Sequence, residues 1–146
     1  MVSRVARIVV AVRSLEDALA FYRDALGLPL VHEAELPEHE LRVARLVLAG
    51  LEIELLQATG TTGPVARFLD QHGEGLHHLV METDDIEHEM RTLMARSTEL
   101  LDQSPRNGPD GRVAFVSPRS TGGVLVELIE SKSGPAGGLP SEEASL

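Results

Sequence analysis

Cysteine is absent from this 146-residue chain, which excludes both disulfide bonds and metal sites built from thiolates. Aromatic residues make up only 3 % of the sequence, so aliphatic side chains must build most of the core. Basic residues are also scarce, because 13 Lys and Arg stand against 23 Asp and Glu, for a formal net charge of −10. So acidic a chain is a poor match for nucleic-acid phosphates or an anionic membrane surface.

Long apolar runs are missing as well. No stretch approaches the roughly 20 residues that span a bilayer. The N-terminal segment MVSRVARIVVAV is interrupted by Arg4 and Arg7, so we predict no signal peptide. These absences predict a soluble cytoplasmic protein. Any metal site would have to use carboxylates and some of the six histidines.

The apolar residues that are present occur in two similar halves. The predicted strands cover 5–12, 28–34, 41–48 and 51–57 in the first half, and in the second half a strand beginning near 76, 98–102, 112–117 and 123–130. A helix follows Ser14 with an apolar face that includes Leu15, Leu19, Tyr22 and Leu26. Another follows Asp85 with a stripe of Ile86, Met90, Leu93 and Met94. The order is βαβββ, a connecting helix near 65–71, and βαβββ again.

The two halves also align position by position. A shift of 71 places Arg7 on His78, and a shift of 73 places Glu54 on Glu127. Small changes of offset are what loop insertions produce, so the second half is predicted to be a copy of the first. The predicted organisation is a first βαβββ module at 1–60, a connecting helix and loop at 61–74, a second module at 75–131 and a disordered Gly-, Pro- and Ser-rich tail at 132–146.

Four polar residues related by this repeat lie in otherwise aliphatic strands: Arg7, Glu54, His78 and Glu127. Side chains alternate between the faces of a strand, so Glu127 interrupts a strand whose neighbouring residues are aliphatic on both faces, and His78 has aliphatic neighbours on its own face. A buried charge is costly unless it is paired, so we predict that the four form one polar cluster. Two simpler interpretations stay open: Arg7 could be an edge-strand arginine whose head reaches solvent, and Glu54 could belong to a solvated acidic strand with Glu52.

Five segments carry a resemblance to a known family. They are SLEDALAFYRDALGL, PEH at 37–39, EIELLQ, PVARFLDQHGEGLHH and GRVAFVSPRSTGGVLVEL. The chain resembles the vicinal oxygen chelate superfamily, which includes glyoxalase I, extradiol dioxygenases and fosfomycin-resistance proteins, and within it the methylmalonyl-CoA epimerases. The resemblance implies an α+β fold in which two βαβββ modules form a cupped mixed sheet around a divalent metal, and it implies a homodimer.

The resemblance also assigns site residues. The family's four metal-site positions fall on Arg7, Glu54, His78 and Glu127, and a residue of its His-Pro-Lys segment falls on Ser117. His78, Glu127 and Glu54 match as ligands for a divalent metal such as Co, Mn, Ni or Zn. Arg7 stands where the family has a histidine, and a guanidinium has no lone pair to donate to a metal. Arg7 and Ser117 are predicted to bind substrate.

Three functions follow from these residues. The first is a methylmalonyl-CoA epimerase-like isomerase that removes a proton next to a thioester or carbonyl, with Glu127 and Glu54 as acid–base groups, on an acyl-CoA substrate. In some epimerases a catalytic glutamate stands where this chain has Val43. The second is a diverged, metal-free isomerase, cyclase or lyase of specialised metabolism that uses Arg7 as an anion anchor. The third is a non-catalytic protein that binds or sequesters a small molecule.

Overall fold

The structure is a computed structural model that describes residues 1–132, so all but the first residue of the predicted tail lies outside the described residues. Contacts between Cα atoms divide the chain into two compact units. The first unit is Arg7–His77, and the second consists of Met1–Ala6 together with the chain from His78 onward. The module boundaries predicted near residues 60 and 75 stay predictions.

The secondary-structure elements follow the predicted order. They are β1 (Val2–Val12), α1 (Leu15–Leu19), β2 (Leu30–Leu36), β3 (Leu41–Leu48), β4 (Leu51–Ala58), α2 (Pro64–His72), β5 (Gly75–Thr83), α3 (Ile86–Ala95), β6 (Arg106–Gly108), β7 (Gly111–Val116) and β8 (Val126–Ser131). Helix α1 continues as a π-helix over Ala20–Ala25, and single 3₁₀ turns lie at Pro37–His39 and Pro118–Ser120. Within residues 1–132, no helix combines the length and apolar character needed to cross a membrane.

The first unit is built on four strands in the order β2-β3-β4-β1. Strands β2, β3 and β4 are antiparallel neighbours, whereas β4 and β1 run parallel. Helix α1 begins at Ser14, whose hydroxyl accepts a hydrogen bond from the Asp17 backbone N–H at 3.2 Å. Its buried residues Leu15 and Leu19 pack against one face of these strands. Because strand residues alternate, Arg45 of β3 and Glu52 and Glu54 of β4 lie on the opposite face.

A two-residue turn joins β3 to β4 and sets their register. Ala49 and Gly50 both have positive φ values, of 52° and 81°, as a type I′ hairpin turn requires. Leu48 is therefore paired with Leu51, and counting back along both strands places Arg45 directly opposite Glu54. The turn thus decides which polar side chains meet on the face opposite helix α1.

The second unit repeats this plan with strands in the order β5-β8-β7-β6. Strands β5 and β8 run parallel, and β8, β7 and β6 are antiparallel neighbours. The Asp85 carboxylate caps helix α3 by accepting from the His88 backbone N–H at 3.0 Å. Ile86 and Met90 of this helix pack on one face of the strands. The predicted α+β class, with mixed parallel and antiparallel strands in both halves, is confirmed.

Some local predictions were wrong. Leu26 is exposed, because the π-helix shifts the hydrogen bonding so that its N–H donates to the Phe21 carbonyl five residues earlier. Met94 is also exposed, whereas Met90 is buried as predicted. The strand predicted at 98–102 is reduced to one bridge between Leu100 and Val116. A short polar strand, β6, lies further along the chain and was not predicted.

Candidate functional site

Arg7 is buried beside two glutamates of the first unit. Its side chain is only 4 % exposed, which excludes the interpretation that its head reaches solvent. The Nε atom lies 3.3 Å from Glu52 Oε1, and the Nη1 atom donates to Glu54 Oε2 at 3.3 Å. Arg7 and Glu52 are cross-strand partners in the parallel β1–β4 pair, so the Arg7 guanidinium lies beside strand β4, within reach of Glu52 and Glu54. The predicted pairing of Arg7 with Glu54 is therefore present, and Glu54 is buried at 1 % exposure rather than solvated.

A second arginine reaches the same carboxylate. Arg45 has a side chain that is 0 % exposed, and its Nε donates to Glu54 Oε2, the oxygen that also accepts from Arg7. The sequence analysis missed Arg45. A signal was available, because the Ala49-Gly50 turn places Arg45 opposite Glu54, and alternation puts it on the face opposite helix α1. We call Arg7, Arg45, Glu52 and Glu54 the ion cluster.

The ion cluster combines two guanidinium groups with two carboxylates, so its formal charges balance. The cluster does not fit a divalent cation at Glu54, because a metal bound to this carboxylate would lie close to two fixed positive charges. At an effective dielectric constant of about 20, unit charges 4 Å apart interact by about 4 kcal/mol, and a dication doubles that repulsion. Among residues 1–132, no group of three or more His, Cys, Asp or Glu side chains could hold a metal ion.

The second unit carries the other two predicted residues on neighbouring strands. His78 on β5 is 5 % exposed and Glu127 on β8 is 6 % exposed. In the parallel β5–β8 pair Glu127 is opposite Val80, so His78 lies two residues along β5 on the same face. Phe115 on β7 is the cross-strand partner of Glu127, and its ring lies 5.7 Å from the His78 ring, centroid to centroid. An imidazole and a carboxylate therefore share one buried, partly aromatic face.

The neighbouring histidine has a different role. The His77 ring lies 4.9 Å from the ring of Phe68 in helix α2, centroid to centroid, and the planes of the two rings are inclined at 62°. Burial lowers the pKa of His77 below its usual value, because desolvation disfavours the charged imidazolium. His77 is therefore a ring that favours the neutral form and packs against an aromatic side chain, as is typical of a structural histidine. His78 rather than His77 thus remains the candidate site histidine.

Ser117 serves the local backbone. Its hydroxyl accepts from the Arg119 N–H at 3.2 Å at the start of the 3₁₀ turn, and its own N–H donates to the Glu99 carbonyl at 2.9 Å. The residue is buried. A substrate-binding role for Ser117 stays a prediction.

The predicted site residues thus fall into two groups. Arg7 and Glu54 meet in the ion cluster of the first unit, and His78 and Glu127 are neighbours in the second unit. That all four meet at one centre stays a prediction. The predicted metal-ligand set of His78, Glu127 and Glu54 also stays a prediction. The two guanidinium groups that donate to Glu54 argue against it.

Comparison with known proteins gives the family. Residues 6–115 match the Glyoxalase/Bleomycin resistance protein/Dioxygenase superfamily. The uncharacterized protein YqjC of Bacillus subtilis is 37 % identical over 131 residues, which cover 89 % of this chain and 94 % of YqjC. The mitochondrial methylmalonyl-CoA epimerase of Bos taurus is 36 % identical over 130 residues, covering 88 % of this chain and 74 % of the bovine protein.

A solved structure agrees with these matches. A variant of the Streptomyces coelicolor methylmalonyl-CoA epimerase, in complex with 2-nitronate-propionyl-CoA, superposes with a TM-score of 0.78 at 28 % identity, covering 90 % of this chain and 99 % of the other. The chain therefore belongs to the Glyoxalase/Bleomycin resistance protein/Dioxygenase superfamily. Its relatives include methylmalonyl-CoA epimerases, which are isomerases.

Proposed function

We propose that this protein removes and returns a proton at the carbon next to the thioester carbonyl of an acyl-CoA, as an epimerase-like isomerase, with Glu127 as the base. The observation that carries the proposal is that a buried carboxylate and a buried imidazole, Glu127 and His78, lie on the same face of adjacent strands. Relatives that are methylmalonyl-CoA epimerases, one of them solved with an acyl-CoA compound, support the substrate class.

Glu127 is better suited to the base role than Glu54. The Oε2 atom of Glu54 already accepts hydrogen bonds from two guanidinium groups, so this oxygen is engaged within the ion cluster. Glu127 has Val80 and Phe115 as its cross-strand partners and lies on the same face as His78, the candidate site histidine. The two predicted acid–base residues therefore differ in their surroundings, and Glu127 is the one that lies on the same face as the candidate site histidine.

In the proposed step the bond between the α-carbon and its hydrogen breaks, and the proton moves to the Glu127 carboxylate. The electron pair of that bond passes into the thioester carbonyl, which becomes an enolate oxyanion that must be stabilised by a donor or a cation. A role for Arg7 as an anion anchor stays a prediction from the sequence. Return of a proton to the α-carbon regenerates the thioester, and its return to the opposite face inverts the centre.

Inversion requires a second acid–base group on the other side of the substrate. Val43 occupies the position at which the resemblance expects a glutamate in some epimerases, and it is fully buried and apolar. We therefore expect proton exchange to be faster than net inversion. Separate measurements of the rate of proton exchange and the rate of net inversion test this expectation.

The test is solvent deuterium incorporation into methylmalonyl-CoA, followed by mass spectrometry, with and without added Co²⁺. The wild-type protein is expected to catalyse exchange, and Glu127→Gln is expected to slow it by about 10²–10⁴, the usual contribution of a general base. Glu130→Gln is the matched control. Glu130 is on the same strand as Glu127, but its side chain lies on the opposite face, where its Oε2 accepts a hydrogen bond from the Ile86 N–H at 2.9 Å. Absence of exchange under both conditions would contradict the proposal.

A second candidate is favoured by the ion cluster. Two guanidinium groups at Glu54 suit a metal-free isomerase, cyclase or lyase that acts on a different carbonyl compound. This candidate predicts no exchange with methylmalonyl-CoA but turnover of another enolisable carbonyl substrate in the absence of a metal. Tight binding of a small molecule without any turnover would instead support the non-catalytic alternative.

A further inference from the structure

One carboxylate oxygen in the first unit is shared by two arginines. Glu54 Oε2 accepts from Arg7 Nη1 at 3.3 Å and from Arg45 Nε, and all three side chains are at most 4 % exposed. A divalent metal that used Glu54 as a ligand would have to displace both donors or remain beside them. Displacement would break one or both of these buried ion pairs, which is costly.

We propose that Arg7 and Arg45 act together to keep divalent cations off Glu54, so that this glutamate is an ion-pair partner and not a metal ligand. Arg45 is the new element in this assignment. Replacing Arg7 alone is insufficient, because Arg45 still donates to the same oxygen. The inference concerns cation binding only and does not depend on the reaction proposed above.

The position of Arg45 is strongly constrained. It lies on a central strand of the first unit between β2 and β4, and the two-residue Ala49-Gly50 turn fixes it opposite Glu54. Its side chain is 0 % exposed and lies against Glu54 in the interior of the first unit. Arg7, by comparison, comes from the parallel neighbour β1 and is also held by Glu52. The two arginines thus approach Glu54 from opposite sides of strand β4.

The test is a Co²⁺ and Mn²⁺ titration by calorimetry, with elemental analysis after dialysis, on four proteins: the wild type, Arg7→His, Arg7→His/Arg45→Met and Arg7→His/Arg42→Met. Arg7→His introduces an imidazole beside Glu52 and Glu54, so potential ligands are present in all three variants. Arg42→Met is the matched control, because Arg42 lies on the same strand but on the other face and pairs with Glu16 at 2.8 Å.

We expect the Arg7→His/Arg45→Met variant to bind the cation at least about tenfold more tightly than Arg7→His/Arg42→Met, a difference of about 1.4 kcal/mol. The wild type is expected to show no binding that depends on Glu54. Equal affinities for the two double variants would overturn the role of Arg45. Stoichiometric binding by the wild type that is lost in Glu54→Ala would overturn the whole inference.

Removing both arginines leaves two glutamates of the ion cluster without these cations and can prevent folding. In that case the comparison is made with Glu52→Gln added to both double variants, which removes one buried negative charge and keeps Glu54. A gain in affinity with Arg45→Met over Arg42→Met in this background supports the inference, and no gain contradicts it. Because metal affinity and deuterium exchange are measured separately, failure of one proposal is distinguishable from failure of the other.

Discussion

The pairing of Arg45 with Glu54 joins two charges where neither side chain has access to water. Removal of charges from water is expensive, and their attraction compensates only when the geometry is good and further hydrogen bonds are present. Here the carboxylate has two guanidinium donors, and Arg7 has a second carboxylate in Glu52. Replacing one residue of the ion cluster should therefore weaken the pairing of the remaining buried charges and destabilise the protein.

Arg45→Met is expected to lower the free energy of unfolding by about 3 kcal/mol, toward the lower end of the range for breaking a buried ion pair, because Arg7 remains on Glu54. Urea denaturation measures the change. Arg42→Met is expected to have a much smaller effect, because the Arg42 side chain is 26 % exposed and its partner Glu16 is mostly solvated. Equal losses in the two variants would show that the ion cluster contributes little to stability.

The sequence indicated the burial of His78 and Glu127, because each has aliphatic neighbours on its own face of the strand; for Arg7 and Glu54 it left a solvent-exposed alternative open, and both are buried in the structure. The same reasoning applies to Arg45 in LRVARLVL, but Arg42 in the same strand made the segment resemble an ordinary half-exposed strand. Only the turn register distinguishes the two arginines. That all four predicted residues meet at one centre stays a prediction, because periodicity does not specify tertiary placement.

At the scale of elements, the helices and long strands were predictable because their caps and periodicity agree. Ser14 and Asp85 cap the two helices that the sequence predicts. Strand β6, with the sequence RNG, contains no large apolar residue, so no hydrophobic pattern marks it. The π-helix was unpredictable for another reason, since it changes the hydrogen bonding without changing the residue types that favour a helix.

Strand β7 begins at a glycine that no other residue can replace without strain. Gly111 has a φ of +155°, and a Cβ atom there would lie 2.1 Å from the Glu130 carbonyl oxygen of strand β8. We expect Gly111→Ala to lower the free energy of unfolding by about 2–4 kcal/mol, from backbone strain and overpacking together. Thermal or urea denaturation measures this change.

Gly27→Ala is the control for backbone conformation alone. Gly27 has a φ of +78°, but a Cβ atom added there would meet nothing within 4 Å, so only the left-handed conformation is penalised, by about 1 kcal/mol. A larger loss for Gly111→Ala than for Gly27→Ala would show that close packing against β8 matters. Similar losses would mean that strand β8 can move away at little cost.

For the whole molecule, net charge is the dominant electrostatic feature. At a formal charge of −10, repulsion between carboxylates favours expansion of the chain. Raising the sodium chloride concentration from about 0.01 M to about 0.15 M shortens the Debye length from about 30 Å to about 8 Å. We therefore expect the melting temperature to rise over this range. A decrease would indicate that attractive surface ion pairs outweigh the repulsion.

Family membership and function belong to different scales. The match over residues 6–115 establishes the superfamily, and the agreement with a solved epimerase structure extends over most of the chain. The activity depends on a few side chains, and this chain has Val43 and Arg7 where the resemblance would place a base and a metal ligand. The homodimer and the cytoplasmic location stay predictions.

The short connection between β3 and β4 has a consequence for how this protein can vary in related organisms. Most surface loops tolerate gain or loss of a residue, but a shift of one position here would turn every side chain of one strand to the opposite face. The guanidinium of Arg45 would then point into the aliphatic layer under helix α1, where Ala44 and Leu46 now pack. Descendants of this chain that keep the ion cluster should therefore keep the Ala49-Gly50 connection at two residues, whatever its sequence becomes.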